Sequence, residues 1–118
     1  MATSTVTLTV QKTALLPGGQ LGPFTYVFTN AGAPDNVTTQ AFAANTFAAV
    51  VIPAGSLGVI IQPPSGNAGV ITLKGVTGDT GVQIPLTTPF PMLLTAAGII
   101  AGFGLLCVNN TTVEFIWI

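Results

Sequence analysis

Charge is what this chain has least of. Its 118 residues include two lysines, three carboxylates, no histidine and no arginine. An average soluble domain is about one-quarter charged, so roughly thirty ionic side chains would be usual at this length. The absence of histidine removes Ser-His-Asp and Cys-His catalysis and the common zinc and iron ligand sets. The absence of clustered basic residues removes the electrostatic route to nucleic acid and to anionic membrane surfaces. A single cysteine, Cys107, excludes an intrachain disulfide. Its apolar setting, Gly104-Leu-Leu-Cys-Val108, reads as a buried small hydrophobe.

The three carboxylates are equally uninformative as chemistry. Asp35 and Asp79 fall in turn sequences and Glu114 falls in a strand pattern, which is no basis for a paired acid and base. Gly78-Asp79-Thr80-Gly81 offers one calcium ligand where six to eight oxygens are needed. Gly66-x-x-Gly69 and Gly75-x-x-Gly78 have no following helix and are not phosphate loops. The expectation is a protein without catalysis, cofactor or metal.

What is abundant is apolar, hydroxyl and turn-forming. Nearly half the residues are hydrophobic, and 18 Thr, 14 Gly and 9 Pro accompany them. Thr and Val suit pleated surfaces, whereas Gly and Pro punctuate turns. Val6, Leu8 and Val10 alternate with Thr5, Thr7 and Thr9 in a strict period of two. Leu16 to Gln20 reads as a turn, and Phe24, Tyr26 and Phe28 alternate with Thr25, Val27 and Thr29 in a second strand. Asn30 to Asn36 reads as a loop, and 37–44 as a weak strand or one helical turn. Further strands are expected at 47–52, 57–62, 69–74, 82–86, 92–95, 103–108 and 113–118, about nine in all.

Short strands spaced near ten residues apart, with Gly and Pro between them, predict an all-β antiparallel sandwich, in the form of a single jelly roll. The whole chain, 1–118, is read as one sandwich domain, with 1–12 as an N-terminal strand or arm. Met92 to Val108 is the one run apolar enough to suggest a membrane span. At 17 residues it is short, it contains three glycines, and no Lys or Arg flanks it. Two short strands fit it better, which leaves a small membrane protein as the weakest reading. Met1 to Val10 has neither the basic nor the apolar region of a secretory leader, so action where the chain is made is expected.

Five charges are too few to disperse the surface of a chain this size as a free monomer. The exterior is therefore expected to be spent on contacts with other protein, in a homo-oligomer. The order Pro-Ala-Gly-Ser (53–56), Leu-Gly-Val-Ile-Ile-Gln-Pro-Pro (57–64), Val-Ile-Thr-Leu-Lys-Gly (70–75), Gly-Asp-Thr-Gly (78–81) and Val-Glu-Phe-Ile-Trp-Ile (113–118) resembles small jelly-roll virion proteins of tailed bacteriophages. That resemblance implies a capsid decoration (cement) protein, made in the host cytoplasm, commonly trimeric and clamped to the major capsid protein at the capsid surface. It carries no catalytic residue. The strand carrying Val6, Thr7, Leu8, Thr9 and Val10 then becomes the candidate assembly contact, because such an arm can add to a neighbour's sheet. The other reading is an ordinary edge strand of its own sandwich. A tail, fibre or baseplate module binding host carbohydrate is the alternative function. It requires exposed aromatics over a polar pocket, and Tyr26 and Trp117 are the candidates, both in patterns that suggest core.

Overall fold

In a computed structural model, residues 2–16, 19–33, 37–93 and 102–118 are described, and they form ten antiparallel strands. The first two, β1 (Ala2–Leu16) and β2 (Gly19–Ala33), pair only with each other. The remaining eight are β3 (Val37–Phe42), β4 (Phe47–Ala49), β5 (Gly58–Gln62), β6 (Ile71–Lys74), β7 (Val82–Ile84), β8 (Phe90–Leu93), β9 (Gly104–Cys107) and β10 (Thr111–Trp117). They build one sheet ordered β3-β10-β5-β8 and a second ordered β4-β9-β6-β7. Within these eight strands the first pairs with the last, the second with the seventh, the third with the sixth and the fourth with the fifth. A long hairpin rolled into two facing sheets gives this pairing, and it defines the jelly roll.

Alternation along each strand decides which side chains fill the space between the sheets. In β10, Thr111, Val113, Phe115 and Trp117 point inward and are buried, whereas Thr112 and Glu114 are exposed. Val59 and Ile61 of β5, Ile71 of β6, Ile84 of β7 and Leu105 and Cys107 of β9 complete one core drawn from both sheets. Its centre is aromatic. Phe115 stacks on Trp117 at 5.8 Å and meets the edge of Phe42 at 6.3 Å. The Trp117 indole N–H donates to the Thr38 hydroxyl at 2.7 Å, which satisfies the one polar group that ring brings inside. Ile118 closes the sheet through main-chain bonds with Gly58 in both directions.

Several boundaries differ from expectation for local reasons. The segment that read as strand or helical turn, 37–44, is a strand to Phe42, because β10 pairs with it from Thr111 to Ile116. β4 stops at Ala49 rather than at Ile52, although Val50 still donates to Phe103. The loop expected from Asn30 is the end of β2, which runs to Ala33. Asn30 is nearly buried there because its amide donates to the Gly55 carbonyl (2.9 Å) and accepts from the Gly32 N–H (3.0 Å). Gly55 sits at φ +87°, and a Cβ there would stand 2.7 Å from the Gly32 oxygen. Glycine is what lets the base of the ribbon seat against the sandwich.

The membrane-span suggestion falls across two strands, since Met92 and Leu93 end β8 and Gly104–Cys107 is β9. Residues 94–101, with the expected bend at 96–98 and Thr95 of the expected 92–95 strand, lie outside the described residues, as do Pro17 and Gly18 of the first turn and Asp35. No helix among the described residues is long and apolar enough to cross a membrane.

Candidate assembly surface

The β1–β2 ribbon stands outside both sheets, which changes what its side chains can do. The register sets Val6 opposite Phe28, Leu8 opposite Tyr26 and Val10 opposite Phe24. Directly opposed residues of an antiparallel pair share a face, so these six form one apolar face. Thr5 with Thr29, Thr7 with Val27 and Thr9 with Thr25 form the other, where the Thr5 and Thr29 hydroxyls stand 3.5 Å apart. Among the described residues Val6 and Phe28 are half-buried at the base of this face, and the part nearer the ribbon tip is open. Leu8 is 54% exposed, Val10 47%, Phe24 51% and Tyr26 62%.

That corrects the core assignment of Tyr26, which period-two alternation alone could not separate from an inward-facing strand. Trp117 is buried as expected. The candidate contacts Val6, Thr7, Leu8, Thr9 and Val10 all lie on this ribbon rather than at a sandwich edge. Val6, Thr7 and Leu8 line a cleft of about 460 Å³ whose other wall is Ile60, Pro89, Pro91 and Leu93. Thr9 and Val10 continue up the ribbon beyond it.

The far wall of that cleft begins a second apolar feature. Val37, Ile116, Ile60 and Pro91 are paired in succession across β3, β10, β5 and β8. Their neighbours Val59, Ile61 and Phe115 point into the core, so this row lies on the outer face of the sheet. Leu93, 54% exposed, extends it along β8. Two residues along the strands the same face turns polar, with Thr39, Glu114 and Gln62 in register. A second cleft, about 420 Å³, opens there between Thr39, Gln62, Pro63, Pro64, Thr112 and Glu114.

Reactive chemistry is sparse among the described residues. No three His, Cys, Asp or Glu side chains lie close enough to hold a metal. Asp79 closes its own turn by accepting from the Gly75 and Val76 N–H groups, both at 3.0 Å. Cys107 is a free, fully buried thiol. Burial pushes its pKa up, and the Thr111 hydroxyl opposes that in part. A thiol held neutral in this way is a packing group rather than a nucleophile.

The dimensions of the molecule agree with a body and a projection. The radius of gyration is 16.2 Å, against about 13.5 Å for a compact chain of this length. Accessible surface is 7018 Å², about 1,000 Å² more than a globule of this mass exposes. The exposed ribbon contributes to that surplus. Comparison with family models, with curated proteins and with solved structures finds no match.

Proposed function

We propose that this chain is a non-enzymatic structural virion protein, a capsid decoration or cement protein that bridges neighbouring subunits of the shell. One observation carries the reading: a jelly-roll body holds out a two-stranded ribbon whose apolar face, from Leu8 to Val10 and from Phe24 to Tyr26, is about half exposed among the described residues. An isolated two-stranded ribbon is marginal in water, so a protein that keeps one gains its stability from what the ribbon touches. The body supplies a seat on the shell and the ribbon reaches a neighbouring partner, so that linked copies span adjacent shell subunits. With two lysines and three carboxylates in all, both contacts rest on apolar area and on main-chain and hydroxyl hydrogen bonds. The partners are other copies of the chain and the major capsid protein, at the virion surface.

The carbohydrate-binding alternative has its best seat in the cleft beside Gln62 and Glu114, where hydroxyls, an amide and a carboxylate converge. No aromatic ring lines it, and stacking on a ring is what that reading requires. The shell reading is therefore preferred. Electron microscopy of purified particles tests it, together with heating of shells with and without added protein. The chain resolved on the capsid and a higher temperature of shell disruption are expected. Its absence from particles, or shells indifferent to it, would end the proposal.

A further inference from the structure

Among the described residues the ribbon and the outer sheet face are two apolar surfaces left largely open, and their dimensions correspond. From Val6 to Val10 the apolar face of the ribbon runs four residue steps, about 14 Å at strand rise. The row Val37–Ile116–Ile60–Pro91 crosses four strands, about 14 Å at the spacing between neighbouring strands. A ribbon laid at right angles to those strands would match the row end to end, the geometry of orthogonal sheet packing.

We infer that the apolar ribbon face of one copy packs on the outer sheet row of a second copy of this chain, with Phe24 and Tyr26 entering the cleft beside Leu93. The inference deepens the oligomer part of the proposed function and rests on it. Three observations select a second copy over another partner. Each chain carries both surfaces, and they are continuous through the cleft that Val6 and Leu8 share with Ile60, Pro91 and Leu93. Within the ribbon stretches 6–10 and 24–28 and within the row itself there is no ionic side chain, so the matched areas offer no charge for a charged partner to recognise. The area is also sufficient. Side chains of this size offer on the order of 150–250 Å² each when fully exposed. The exposures of Leu8, Val10, Phe24 and Tyr26 then leave roughly 450 Å² on the ribbon, and the row adds roughly 350 Å². A copy that both gives its ribbon and receives one buries about 800 Å², the share each partner contributes to a standard stable interface. Such contacts reach that size when they close as a reciprocal pair, in which both are made in one interface.

Cysteine cross-linking between full-length chains tests the contact. Two single variants, Tyr26→Cys and Leu93→Cys, are mixed with a short bis-maleimide. The buried Cys107 leaves the unsubstituted protein as an unreactive baseline. Cross-linked dimers are expected in the mixture and at most a small fraction of that yield from either variant alone. No dimer in the mixture, or dimer formed equally by Tyr26→Cys alone, would overturn the inference, the latter because ribbon would then meet ribbon. Leu93→Cys joined to a shell subunit on particles, with no link between copies, would overturn it too while leaving the virion assignment intact. Copies that cross-link in solution but are absent from particles would sustain the contact and end the virion assignment.

Discussion

Replacing Leu8 and Tyr26 together with threonine would give the centre of the apolar ribbon face the hydroxyl character that Thr5, Thr9, Thr25 and Thr29 give the face behind it. Threonine keeps strand propensity, and neither residue belongs to the sandwich core, so the fold should survive. The two side chains are 54% and 62% exposed and together present roughly 250 Å² for a partner to cover. At about 25 cal/mol per Å² that area sets an upper bound near 6 kcal/mol. Association recovers only part of such a sum, and truncating central aromatic anchors usually costs about 2–4 kcal/mol. Self-association should therefore weaken between about thirtyfold and a thousandfold. Sedimentation equilibrium over a concentration series measures this, with far-UV circular dichroism and Trp117 fluorescence reporting the fold. An association constant unchanged within threefold would refute the reasoning. So would loss of β-structure in the double variant, since the face would then be part of the monomer's own stability.

Other substitutions test the body separately. Phe115→Ala removes the ring that touches Phe42, Phe103 and Trp117 and should cost about 3–5 kcal/mol, read as a lower urea midpoint. Thr38→Val deletes the acceptor of the Trp117 indole N–H and should cost about 1–3 kcal/mol, with Trp117 emission changed but the strands retained. Asn30→Ala removes the two bonds at the ribbon base and should speed amide exchange in 28–33 while leaving β10 protected. Cys107 has its pKa raised by burial, so the folded chain binds the thiol proton more tightly than the unfolded chain. The stability this contributes is complete below the ordinary thiol pKa of about 8.5 and declines as pH rises above it. Ellman's reagent at pH 8 should accordingly find no reactive thiol until denaturant is added.

The parts of this architecture set by short-range pattern were legible in the residues. Alternation from Thr5 to Val10 and from Phe24 to Thr29 gave both ribbon strands, and the register pairs the positions that alternation placed on one face. Turn chemistry separated most of the remaining strands to within two or three residues. Long-range placement was not legible. Tyr26 lies in the same kind of pattern as Phe115, yet one is open to solvent and the other is sealed, because only the sheet a strand joins decides which face is covered. The row Val37–Ile116–Ile60–Pro91 draws on four strands separated by up to 79 positions and exists only through their mutual register. Nothing in the linear order marks Pro91 as its end. Strand regularity marked Val6 to Val10 as one strand, whereas Tyr26, which shares a face with Val6, Leu8 and Val10, lay in a pattern that suggested core.

The central claim is that an exterior nearly free of ions is covered by other copies of the same protein. Light scattering on the purified chain, from micromolar to near-millimolar concentration in 0.05 M and 1 M salt, addresses it directly. The account predicts a defined oligomer that forms with concentration and persists in high salt, since there are few ionic contacts to screen. A monodisperse monomer across the whole range, or an oligomer that dissolves in salt, would contradict it.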